Sequence, residues 1–132
     1  MQKPSSISTG VKGTAVSAAT VATTKYSVAT AFENKYGDRY VAVTVKSNVV
    51  YSIYCLGSDT QWSSTADAGA GTTYGKLLGS ETGQLATGTA TTGGEGKTFY
   101  FPCATMRYVL PVLYQATGGN ATVTIKYQTF ND

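Results

Sequence analysis

Residues 106–130, MRYVLPVLYQATGGNATVTIKYQTF, hold two apolar runs joined by Thr117-Gly118-Gly119-Asn120. The second run alternates. Ala121, Val123, Ile125 and Tyr127 share one side, and Thr122, Thr124, Lys126 and Gln128 share the other. A period of two in β-branched and aromatic residues makes a half-buried strand. The first run, Tyr108 to Tyr114, is apolar on both sides, so it reads as a strand covered on both faces. Gly-Gly-Asn supplies the positive φ angles of a tight turn, which predicts a closing β-hairpin. Tyr108, Leu110, Val112 and Tyr114 form one face of the first strand, with Val109 and Leu113 on the other. The second face is expected in an oligomer interface or under a loop from residues 57–97. Pro111 and Pro102 lack an amide donor and belong at an edge or a bulge.

The same pattern recurs upstream. Arg39 to Lys46 places Val41, Val43 and Val45 on one face, and Val49 to Leu56 follows after Ser47-Asn48. A two-residue link predicts a second hairpin. Residues 14–32 are rich in Ala, Thr and Val with few charges, and predict short strands at 15–21 and 25–31. A helix from Ser27 to Tyr36, stopped by Gly37, is the rival reading. Thr98 to Cys103 reads as a strand, residues 57–75 as a loop or weak strands, and residues 87–96 as a Gly/Thr-rich exposed loop. Seven to nine strands with turn signals between them predict an all-β single domain over 14–132, a β-sandwich or a barrel. Residues 1–13, polar with Pro4, Gly10 and Gly13, predict an extended N-terminal arm. At 132 residues the chain is long enough for a core of its own.

Chemistry is constrained by what is missing. The chain has no histidine, which removes the commonest general base and metal ligand. The acids Glu33, Asp38, Asp59, Asp67, Glu81, Glu95 and Asp132 fall in expected turns and loops, and no pair stands out for acid–base work. Gly96-Lys97-Thr98 ends like a P-loop, but Thr91 stands where that motif requires glycine. The expectation is no enzyme, no cofactor and no metal. Charge is sparse at 13%, and the net +3 is spread without a basic run, which argues against nucleic acid. No leader or membrane-length apolar run is read at the N-terminus, so a soluble protein made in a cytosol is expected. Cys55 and Cys103 then read as buried thiols, with a disulfide between them the alternative if their strands face each other, and Asn120-Ala121-Thr122 reads as a chance glycosylation triplet. Ten tyrosines exceed what one core needs, and about half are expected to serve as surface.

Several local words have a familiar layout. They are Arg39-Tyr40-Val41-Ala42-Val43-Thr44-Val45, Phe99-Tyr100-Phe101-Pro102, Met106-Arg107-Tyr108-Val109, the Ala116-Thr117-Gly118-Gly119-Asn120 turn, and the last strand from Val123 to Phe130. In this order they resemble the small capsid decoration, or cement, proteins of tailed phages. The resemblance implies a jelly-roll-like β-sandwich with no catalytic site. It implies a homo-oligomer, with a trimer favoured, that binds the major capsid protein on the virion exterior. No membrane partner is implied. The candidate interface residues are Met1, Lys3, Ile7 and Lys12 of the arm region, Trp62 and Tyr74, and Val109 and Leu113. The alternative is a carbohydrate-binding or adhesive module built on Trp62 and Tyr74.

Overall fold

The computed structural model describes residues 10–22, 24–61, 76–83, 96–115 and 120–131. The described residues contain no helix and form nine strands: β1 (Lys12–Val21), β2 (Lys25–Tyr26), β3 (Phe32–Glu33), β4 (Tyr40–Ser47), β5 (Tyr51–Ser58), β6 (Lys76–Gly83), β7 (Lys97–Pro102), β8 (Tyr108–Gln115) and β9 (Ala121–Phe130). One sheet has the order β1-β9-β4-β7. The other has the order β2-β8-β5-β6, and β3 also pairs with β8. All pairings are antiparallel. Taken as two halves of one interrupted strand, β2 and β3 bring the count to eight. The order then matches a jelly roll, in which the chain passes between sheets at each link except β5–β6.

That path overturns both expected hairpins. β4 pairs with β9 and β7 rather than with β5, and β8 and β9 lie in different sheets. One local and one long-range contact hold the chain at the first link. The Ser47 hydroxyl donates to the Val49 carbonyl at 2.9 Å, and Asn48 Oδ1 accepts the Thr122 amide at 2.9 Å. The driving force is burial. Val41, Val43 and Val45 of β4 are at most 1% exposed, as are Ile53 and Cys55 of β5. Facing each other from opposite sheets, the two strands cover each other; side by side in one sheet they could not.

Residues paired across antiparallel strands point to the same side. Gly79 pairs with Cys55, and a Cβ at Gly79 would stand 2.7 Å from the Phe101 ring of β7. This face of the second sheet therefore looks across the sandwich. Leu113 pairs with Ile53 and Val109 with Gly57, so both point into the same core. Phe32 stacks on Tyr127 across the sheets at 3.8 Å, and Tyr51 meets Phe99 edge-on at 6.3 Å.

Pro111 sits in mid-strand, buried, in a strand paired on both sides, not at an edge. The hydrogen bonds explain how it is accommodated. Leu113 N–H donates to Ser27 Oγ, while the carbonyls of Leu113 and Arg107 accept from Ser27 and Asn34. Odd-numbered residues of β8 thus point their polar groups toward β2 and β3. Pro111 lacks its N–H where those two short strands are interrupted. Pro102 ends the edge strand β7, as expected. The expected strand at 25–31 is reduced to β2, and no helix forms at 27–36. β6 was not legible as a strand in Lys76–Gly83. β1 begins at Lys12, inside the segment read as an arm, and Val11 exchanges hydrogen bonds with Thr129.

Candidate functional site

The outer face of the four-stranded sheet carries the side chains that alternate with the buried valines. On β4 these are Tyr40, Ala42, Thr44 and Lys46. Their partners are Thr98, Tyr100 and Pro102 on β7, and Thr124, Lys126, Gln128 and Phe130 on β9. Lys12 and Thr14 of β1 continue the face, opposite Gln128 and Lys126. Alternation in each strand therefore gives one core row and one solvent row.

Two features stand out on this face. The first is an aromatic corner. Tyr100 is 65% exposed and Tyr40 is 37% exposed. The Phe130 ring lies between them, stacked on Tyr40 at 5.6 Å and edge-on to Tyr100 at 6.0 Å. The second is a shallow depression of about 660 Å³ beside the corner, lined by Lys12, Thr14, Thr44, Thr98, Lys126 and Gln128. The Thr44 and Thr98 hydroxyls bond across its floor at 2.8 Å.

The corner is held from behind by a buried polar clamp. Asn34 Oδ1 accepts the Asp38 amide at 3.1 Å, and Asn34 Nδ2 donates to the Asp38 carbonyl at 3.0 Å. The same Nδ2 reaches the Cys103 and Met106 carbonyls, each at 3.3 Å. The Asp38 carboxylate accepts the Thr129 hydroxyl at 2.7 Å. The Cys103 amide donates to the Arg39 carbonyl at 2.8 Å. One side chain thus joins the turn before β4 to the end of β7, the two elements that present Tyr40 and Tyr100.

Burial, reinforced by the Asp38 carboxylate, pushes the Cys103 thiol up to about 12. Burial, reinforced by Cys103, holds Cys55 well above its ordinary value. Both cysteines are free and buried, as expected from sequence, and thiols so shifted are not nucleophiles near neutral pH. Among the described residues no three His, Cys, Asp or Glu side chains gather as a metal site.

The sequence-predicted interface residues divide three ways. Lys12 is exposed and lines the depression. Met1, Lys3, Ile7, Trp62 and Tyr74 lie outside the described residues. Val109 and Leu113 are 0% exposed within the single chain, so the reading that assigns them to an oligomer interface is corrected. They form the inter-sheet core. Leu110 and Val112, on the opposite side of β8, are also buried. Among the described tyrosines Tyr51 alone is fully buried, and Tyr26, Tyr108 and Tyr127 pack against the core by part of their surface. The sequence reading missed Tyr100 and Phe130 as a pair. The available signal was their placement on the polar side of alternating strands.

No family model and no curated protein matches the chain. Among solved structures the chain is similar to PirA, at 11% identity and a TM-score of 0.48, covering 89% of this chain and 92% of that one. It is also similar to the SPBc2 prophage-derived protein YomS, at 15% identity and a TM-score of 0.48, covering 91% of this chain and 93% of that one. Likeness at this level carries no functional argument, and the jelly-roll assignment rests on the strand order.

Proposed function

We propose that the chain is a structural virion protein that binds the outer surface of a capsid and cements neighbouring capsomers. Its partner is the major capsid protein. Its own state is a homo-oligomer, with a trimer favoured, made in the host cytoplasm and carried on the virion exterior. The observation that supports this reading is the aromatic corner. Two exposed Tyr rings packed around a half-buried Phe on one sheet face supply the large, low-entropy contacts that dominate protein docking surfaces. The clamp behind the corner keeps those rings in place before binding, which lowers the ordering cost of association. An oligomer touching several capsomers then gains avidity without a strong single contact. The jelly roll hosts capsid and lectin domains alike, so the argument rests on the face and not on the fold.

The test is co-sedimentation with capsids prepared without this protein. Wild type should pellet with them and raise their resistance to heat. Tyr100→Ser combined with Phe130→Ser should fold, as judged by circular dichroism, and fail to pellet. Wild type that stays in the supernatant, or a double variant that decorates as well as wild type, overturns the proposal.

A further inference from the structure

We infer that the lysine-lined depression on the outer face of the four-stranded sheet receives an extended acidic segment of the partner protein. This inference rests on the docking reading above and names the chemistry of what docks. The charge of this face suits an acidic ligand. On the outer face β1, β4 and β9 present Lys12, Lys46 and Lys126, whereas Lys97 of β7 pairs with Val45 on the inward row and lies over the Phe99 ring; none of the four strands contains Asp or Glu. Lys12 and Lys126 line the depression, and neither forms an ion pair among the described residues. Lys12, Lys46 and Lys126, none of them ion-paired among the described residues, thus share the face that also presents the aromatic corner. Complementary charge on a partner steers encounter and sets register.

The spacing of its lysines suits an extended one. Lys126 pairs with Thr14, and Lys12 lies two residues from Thr14 on the same side. The two lysines are therefore diagonal cross-strand neighbours, about 7–8 Å apart at the backbone. Alternate residues of an extended chain lie about 7 Å apart and point the same way. A partner segment with carboxylates at positions i and i+2 matches both lysines at once. Thr14, Thr44, Thr98 and Gln128 supply donors and acceptors for the backbone and polar side chains of such a segment.

Charge also disfavours a nearer occupant. Residues 1–9, MQKPSSIST, carry Lys3 and no acid, so they share the sign of the depression. The chain's own N-terminal segment is the wrong partner for this face.

The test uses two probes and one variant. The probes are a peptide of alternating Glu and Thr and the same peptide with Gln for Glu. The variant is Lys12→Gln with Lys126→Gln. Amide chemical shifts of the full-length protein should move saturably with the Glu peptide at Lys12, Thr14, Thr44, Lys126 and Gln128. They should stay still with the Gln peptide. The double variant should bind the Glu peptide about tenfold more weakly, as expected for losing two partly exposed charge contacts. Capsid binding should weaken with it and fall as salt is raised through 0.1–0.3 M, about the range where screening becomes strong. No saturable shifts, or shifts elsewhere, overturn the inference. Tighter binding of oligogalacturonate than of the peptide also overturns it, and gives the site to an acidic polysaccharide. Wild type and double variant that pellet equally with capsids leave the docking reading standing and remove this inference. Wild type that binds the peptide at this site but not capsids removes the docking reading instead.

Discussion

Asn34 offers the sharpest test of how the aromatic corner is held. Its side chain is 5% exposed and serves four backbone groups in two turns. Asn34→Ala removes the acceptor for the Asp38 amide and the donor to the Asp38 carbonyl. A buried amide left unpaired costs about 1–3 kcal/mol, and a lost neutral hydrogen bond about 1 kcal/mol. The Cys103 carbonyl keeps a second donor, the Met106 amide at 3.1 Å, so its loss adds little. The expected destabilisation is about 2–4 kcal/mol, which for a chain of this size lowers Tm by about 10 °C. Urea unfolding measures it, with an unchanged m-value showing that the unfolding reaction is the same. Asn34→Asp is the control. It keeps the acceptor but aims a carboxylate at three carbonyl oxygens, so it should cost at least as much at neutral pH and recover partly in acid, where the new carboxyl can donate. A loss below about 1 kcal/mol for Asn34→Ala would refute the clamp as the element that joins the β4 turn to the end of β7.

Leu113→Ala should cost about 2–5 kcal/mol, the range for emptying a fully buried leucine site, and should leave the sedimentation coefficient of the folded protein unchanged; a variant with wild-type stability but altered oligomer size would restore the interface reading. Stability should also fall in alkali. The Cys103 thiol is raised in the folded state from 9.0 to about 12, and Tyr51 from 10.0 to about 12, both by burial first. The unfolded chain therefore loses these protons before the folded one, so stability is full below about pH 9 and is lost as pH rises toward 12. Denaturant midpoints between pH 8 and pH 11 measure this, and Cys55→Ala with Cys103→Ala should flatten the profile; a profile as steep as wild type in that variant would show that the thiols are not the cause.

Local pattern revealed the strands but not their partners. Val41, Val43 and Val45 announce a strand by alternation alone, and so do Val123 and Ile125. Pairing depends on where the buried rows meet, which local spacing does not encode. Ser47-Asn48 looks like a hairpin link by length. In the structure its side chains serve Val49 and Thr122, and the chain crosses to the other sheet. β8 misled for a related reason. An apolar row on both sides of a strand suggests an unsatisfied face, yet Val109, Leu110, Val112 and Leu113 are all buried within one chain. Antiparallel sheets commonly leave one face to solvent, and β8 departs from that by burying both rows within its own chain.

The site was legible in its residue types and not in its location. A tyrosine excess pointed to surface aromatics, but two of the residues favoured from sequence, Val109 and Leu113, belong to the core. The property that places Tyr40, Tyr100 and Phe130 together is register: Tyr40 pairs with both Pro102 and Phe130, and Tyr100 pairs with Ala42 one step along. These residues come from strands that are fourth, seventh and last in the chain, so their proximity is a product of the jelly-roll crossings. The same crossings bring Lys12 beside Lys126. A face that combines exposed rings with lysines that have no carboxylate partner among the described residues is costly to leave bare in a small domain, since apolar patches invite association. A partner that brings acidic groups to the lysines and apolar surface to the rings covers both at once, and this is why the aromatic corner and the depression are read as one docking surface.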